Sequence, residues 1–221
     1  MKTPVTSGSF RHHLAYSWWK YLLAAILSFV LVDLLYTVTA YRSPRDKVLG
    51  FYVYGYTNSS ELTGYLDNVR ETELSDMEEI SSLVLMDDNT YGPMQMMVYL
   101  SAGEGDVYLL NREYFLTCAA DGALLPLEDD RELLAMFEEA GISLQSGWRK
   151  NTETGETHLY GIPQDKLPGL SQYAYAANGY LCLAATGQNQ ENAAKLFRIL
   201  CRDTLTAPAP SSEPEVQPSG P

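Results

Sequence analysis

This chain is poor in the residues that carry most enzyme chemistry. Its 221 residues include three histidines and three cysteines. Only His158 lies beyond residue 13, and Cys118, Cys182 and Cys201 include no CxxC pair. Those shortages exclude a zinc site of paired thiolates and a disulfide framework of the kind that staples small secreted domains. The GxSxG, HExxH, Walker and dinucleotide-binding patterns are absent as well, so no nucleophile elbow, zinc-peptidase helix or phosphate loop is encoded. Carboxylates are so plentiful that no pair stands out as general acid and base, and nothing around His158 marks it as a base. The chain reads as a non-enzyme.

Positive charge is scarce and unevenly placed. Residues 1–46 hold five Lys/Arg against two acids, a net +3, while the remainder holds ten against twenty-six, a net −16. A domain so acidic is repelled by nucleic acid and by anionic headgroups, so neither is expected as a main partner. Attraction of cationic ligands and plain solubility are the two readings of that surface.

What the chain does have is one long apolar run. Residues 21–40, YLLAAILSFVLVDLLYTVTA, contain a single charge, Asp33. At about 1.5 Å per residue they make roughly 30 Å of helix, the thickness of a bilayer's hydrocarbon core. Trp18, Trp19 and Tyr21 before the run, and Tyr36 and Tyr41 toward its other end, suit the two membrane interfaces. The small residues Val38-Thr39-Ala40 resemble a processing site, but the run is longer than a signal core and follows a tail of 20 residues. An uncleaved anchor is expected, with residues 1–20 as a cytoplasmic tail. Lys/Arg counts on the two flanks tie, and His12 and His13 tip the amino terminus inward. An ionised Asp33 costs about 2.5–3.5 kcal/mol at such a position. It either contacts a polar group on a partner helix, or is protonated or hydrated where the bilayer thins. At the other end, residues 204–221 hold five of the eleven prolines and few large apolar side chains, and are expected to be disordered.

Between these ends, residues 47–203 alternate strand and helix signals. Strands are expected at 48–56 (VLGFYVYGY), 82–87, 106–110, 157–161 and 180–185. Asn58 and Glu61 form a capping-box pattern before a helix with Leu62, Tyr65, Leu66 and Val69 on one face. Further helices are expected at 94–100 behind Pro93, at 112–120, after Asp129 with Gly141 closing it, and at 190–202 behind Asn189. The alternation predicts an α/β fold, a mostly parallel sheet flanked by helices. Cys182 and Cys201 fall at one level of the last strand–helix unit. Sheet-to-helix spacing exceeds the about 4.4–6.8 Å that a disulfide needs, which favours two buried thiols.

In open α/β sheets ligands sit beyond the carboxyl ends of the strands. That edge gathers Tyr56, Thr57, Asn58 and Ser59 after the first strand, Asp87, Asp88 and Asn89 after the second, and Asn111 after the third. Amides of the helix beginning near Ser59 suit an anion, although ordinary turn and capping chemistry accounts for the same residues. Tyr52, Tyr54, Tyr56, Tyr173, Tyr175 and Tyr180 either stack on a ligand or pack. Asp87-Asp88-Asn89 and Glu128-Asp129-Asp130 lack the spaced oxygens and central glycine of a calcium loop. No metal or cofactor is expected.

Five segments carry a family likeness: VLGFYVYGYTNSSELTGYL, GDVYLL followed by REYF, LLPLED, HLYGIP and GYLCLAATGQNQENAAKLFRIL. Together they resemble bacterial extracellular solute-binding proteins, the ligand-capturing components of ABC importers, over residues 47–203. The resemblance implies one lobe of a fold that normally has two, and a binding role without catalysis. It departs from the family in length and in lacking a lipoprotein cysteine, so capture by closure of two lobes is not implied. The resulting expectation is a single-pass protein of the bacterial cell membrane. Its carboxy-terminal domain is extracytoplasmic and binds a small solute or a membrane-protein partner, as an accessory to an envelope transporter. The alternatives are a structural adaptor with no solute and an unrecognised hydrolase.

Overall fold

The computed structural model describes residues 7–41, 43–86 and 91–205. It divides into two compact units, Met1–Arg42 and Ser43–Pro221. The first contains one helix, α1 (Ser7–Thr39), whose stretch Trp18–Thr39 is long and apolar enough to cross a membrane and has no buried residue within the protein. Within that stretch Ser28 donates to the Ala24 carbonyl at 2.8 Å and Thr37 to that of Asp33 at 2.8 Å. Such back-bonding removes the cost of a lone hydroxyl in hydrocarbon.

The second unit runs β1 (Val48–Tyr54), β2 (Tyr56–Thr57), α2 (Ser59–Thr72), β3 (Glu79–Leu85), α3 (Gly92–Ala102), β4 (Val107–Leu110), α4 (Arg112–Ala120), α5 (Arg131–Glu139), β5 (Trp148–Lys150), β6 (Thr157–Leu159), β7 (Ile162–Pro163), β8 (Ala174–Tyr175), β9 (Tyr180–Leu183) and α6 (Gln190–Leu205). Five strands form the main sheet in the order β3-β1-β4-β9-β7. β1 pairs in parallel with both β3 and β4, while β9 is antiparallel to β4 and β7. Four strands therefore point one way and β9 the other, and the sheet is mostly parallel as its sequence implies.

Side-chain alternation along β1 explains the layers. Leu49, Phe51 and Val53 pack with Leu62, Leu66 and Val69 of α2, Leu133 and Phe137 of α5, and Leu196, Phe197 and Leu200 of α6. Tyr52 and Tyr54 face the other way, onto Met96 and Leu100 of α3 and Phe115 and Cys118 of α4. A strand covered on both faces must be apolar throughout, which is why 48–54 reads as a continuous run. The same alternation separates the thiols. Cys182 joins the α3/α4 layer and Cys201 the α6 layer, on opposite faces of the sheet. All three cysteines are buried free thiols. Burial pushes Cys118 up to about 12 and holds Cys182 and Cys201 well above the ordinary thiol range.

Local differences from the sequence reading have physical causes. The first strand breaks at Gly55, where a Cβ would lie 2.2 Å from the Tyr175 carbonyl oxygen. Only glycine allows that approach, and it sends Tyr56 off the sheet to pair with β8. The capping box at Asn58 and Glu61 does not form; Asn58 Oδ1 instead accepts from the Ser60 hydroxyl at 3.2 Å. Asp130 rather than Asp129 caps α5, accepting from the Leu133 amide at 3.0 Å. β5, β7 and β8 have no counterpart in the sequence pattern, because strands of two or three residues carry no periodic signal. α6 continues through Leu205, with Thr204 buried, and the tail beyond lies outside the described residues.

One polar staple joins β6 to the turn before α5. His158 Nδ1 bonds Glu128 Oε1, and Glu128 Oε2 accepts from the Leu159 amide at 3.1 Å. Glu156 approaches His158 Nε2 at 3.4 Å, and Arg149 is its cross-strand neighbour on β5. The Glu128 bond raises the His158 pKa against the opposing effect of burial, and Glu156 adds to the rise. Burial alone would raise Glu128, but the bonds from His158 and the Leu159 amide outweigh it and leave its carboxyl below the usual range.

Two outcomes follow from this packing. Gly55→Ala is expected to lower unfolding stability by about 1–3 kcal/mol through overpacking against the β8 backbone, read by urea denaturation. His158's contribution is complete below its unfolded value near 6.5 and is lost as pH rises through its raised folded value. Glu128's is present above about 4.5 and is lost as pH falls through its depressed one. His158→Gln should therefore be most destabilising, relative to the parent, between pH 4.5 and 6.5, with the gap narrowing in mildly alkaline buffer.

Candidate functional site

The branching of the chain about β1 defines where a ligand edge belongs. β1 leads through α2 to β3 on one side, and β3 leads through α3 across to β4 on the other. In sheets whose connections diverge in this way, ligands bind beyond the carboxyl ends of the strands, here β1 and β4. Tyr56, Asn58, Ser59 and Asn111 all lie at that end. Asp87 and Asp88, with Asn89, lie outside the described residues.

The four described residues play different parts. Tyr56 is 63% exposed and sits directly opposite Tyr175, itself 52% exposed, on the β2–β8 ribbon. Asn58 and Ser59 are exposed beside them. The Asn58 amide donates to the Tyr173 carbonyl at 2.9 Å, so it is spent on the fold. The Thr57 and Ser59 hydroxyls lie 3.4 Å apart. Asn111 is buried and caps α4, its Oδ1 accepting from the Tyr114 amide at 3.0 Å. Turn and capping chemistry accounts for Asn111, whereas Tyr56 presents an aromatic face to solvent.

Of the tyrosines singled out in the sequence, Tyr52, Tyr54 and Tyr180 are buried core residues. Tyr65 and Tyr173 stack at 4.7 Å and 27°, and the Tyr65 hydroxyl donates to Asp203 at 2.9 Å. Burial, followed by the Asp203 charge, raises the Tyr65 pKa. Among the described residues no group of three or more His, Cys, Asp or Glu side chains is placed to hold a metal ion.

The residue that sequence reasoning missed is Gln164, which follows β7 and is 6% exposed. Its Nε2 donates to the Ala174 carbonyl at 2.8 Å, and its Oε1 accepts from the Ala176 amide at 3.0 Å. One side chain thus grips the backbone on both sides of Tyr175 and fixes the β2–β8 ribbon. The only signal in the sequence is a lone glutamine after a proline, which marks nothing by itself. Gln164→Leu would orphan one buried donor and one acceptor, at about 1–3 kcal/mol each. Faster amide exchange at Ala176, with amides in β1 unchanged, is the expected reading.

No family model and no curated protein matches the chain. Solved structures do resemble it. One is an extracellular solute-binding protein family 1 member from Alicyclobacillus acidocaldarius, with a TM-score of 0.39 and 20% identity, over 55% of this chain and 29% of that one. Another is the N-glycan transport solute binding protein (NgtS) from Streptococcus pneumoniae, with a TM-score of 0.37 and 17% identity, over 52% of this chain and 24% of that one. The same pneumococcal protein in complex with Man1GlcNAc gives a TM-score of 0.34 and 14% identity, with the same coverage. The chain spans less than a third of the length of the structures it matches.

Proposed function

We propose that this protein is a membrane-anchored, extracytoplasmic binding domain without catalytic activity, serving as an accessory to an envelope transporter or another membrane protein. The observation that carries the reading is the exposed Tyr56–Tyr175 pair, held on a rigid ribbon at the carboxyl edge of the sheet. Solvent-facing rings fixed by backbone pairing form a stacking platform at low entropic cost, suited to a sugar ring or an apolar side chain. Asn58 and Ser59 supply polar contacts beside it, and Asp87 and Asp88 are assigned to the same rim on sequence position. The α1 stretch Trp18–Thr39 supplies the tether. On this reading the residues before it are cytoplasmic, residues 47–203 are outside, and Asp33 meets a polar group of a partner helix.

A second reading, an adaptor that binds protein and no solute, is favoured by a different observation. Met86, Tyr91, Met94 and Val98, at the end of β3 and along α3, are all more than half exposed. Such an apolar surface serves a partner protein better than a small solute.

Thermal-shift screening of the full chain in detergent against mono- and oligosaccharides separates the two. The binding reading expects a stabilising ligand whose effect disappears in Tyr56→Ser/Tyr175→Ser; a screen with no stabilising sugar favours the adaptor. The tether is tested by carbonate extraction of cell membranes. Full-length protein retained in the pellet is expected, and a shortened soluble form would overturn the anchor.

A further inference from the structure

The opposite end of the sheet, where β1, β3 and β4 begin, contains a cavity of about 220 Å³ that the sequence reading did not foresee. Gly50 lines it from β1, Asp106 from just before β4, Tyr52 from the α3/α4 face, and Arg45, Glu104 and Gln188 from the surrounding segments. Gly50 keeps it open without a side chain of its own, since a Cβ there would already meet the Glu104 carbonyl and the Tyr52 ring at 3.0 Å.

Its polar groups are not used up by the fold. Asp106 is 6% exposed; its Oδ2 accepts from the Gly50 amide at 2.8 Å, and the Asn189 amide also donates to the carboxylate. No cationic side chain pairs with it among the described residues. Burial pushes its carboxyl up, and the two amides only partly oppose that. Arg45 and Glu104 line the same cavity and are exposed, yet neither side chain makes an ion pair or hydrogen bond among the described residues. The Tyr52 hydroxyl is likewise without a partner among them. The other cavities differ. Along α6, Arg198 is already paired with Asp130 at 3.0 Å and Glu132 at 3.5 Å, and Arg202 with Glu73 at 2.5 Å.

We infer that this cavity binds a small zwitterion, an α-amino acid, with its carboxylate on the Arg45 guanidinium and its ammonium among Glu104, Asp106 and the Tyr52 hydroxyl. A guanidinium and carboxylates that share a cavity without pairing leave both signs of charge to be met. A ligand carrying one sign answers only half of the site. A guanidinium takes a carboxylate through two parallel bonds, and a buried carboxylate takes an ammonium as its missing counter-charge. The cavity's volume of about 220 Å³ has room for a small amino acid. The site lies at the far end of the strands from Tyr56 and Tyr175 and does not rest on their role.

Isothermal titration calorimetry of the full chain in nanodiscs, with each of the common L-amino acids in turn and with acetate and putrescine as probes of one charge sign, tests this. At least one small amino acid should bind with single-site stoichiometry, and acetate and putrescine should not. Arg45→Ala and Glu104→Gln, both changes to exposed side chains, should each weaken binding at least about tenfold with the melting temperature unchanged. Tyr56→Ser should leave it unaltered. No heat with any amino acid, binding that survives both cavity substitutions, or equally tight putrescine binding would overturn the assignment.

Discussion

The structure depends on the double burial of β1. Leu49, Phe51, Val53 and Tyr54 have almost no exposed surface, and the strand is paired along both edges, so its backbone amides have no recourse to water. Burying each such side chain contributes about 1.5–3 kcal/mol relative to exposure. This one strand sets the rest of the domain. α2 and α6 cover one face, α3 and α4 cover the other, and the chain diverges at its carboxyl end. At its amino end, the single residue without a side chain leaves the cavity.

The expected bounds of α4 match the structure, and α6, which carries a long apolar stripe from Ala193 to Cys201, differs only by a few residues at its end. β1 announced itself through its unbroken apolar run. Where the reading fell short, the controlling contacts were long-range. Gly55 turns the chain because of the Tyr175 carbonyl, and Gln164 matters because of Ala174 and Ala176. Neither dependence has a local signature. The candidate edge was legible as a location, since strand ends follow from strand assignment. The division of labour within it was not, because burial separates Asn111 from Tyr56 and burial is a property of the whole fold.

Electrostatics in this acidic domain are mostly local arrangements. α6 places Lys195, Arg198 and Arg202 against Glu191, Asp130 and Glu73, so three scarce cations are neutralised along one helix. Exposed pairs of this kind contribute about 0–1 kcal/mol each. Their larger effect is to leave the remaining surface strongly negative. Against that background Arg45 lines a cavity without an ion-pair partner among the described residues.

The concealment of every sulfhydryl has a practical side. Cys118, Cys182 and Cys201 have no accessible surface, and burial keeps them protonated in neutral solution. Only the thiolate attacks an electrophile, so the native polypeptide is chemically silent toward maleimides. A single cysteine engineered at any exposed position, on either flank of the apolar helix, becomes a selective handle for an impermeant reagent, with no need to strip the endogenous sulfur first.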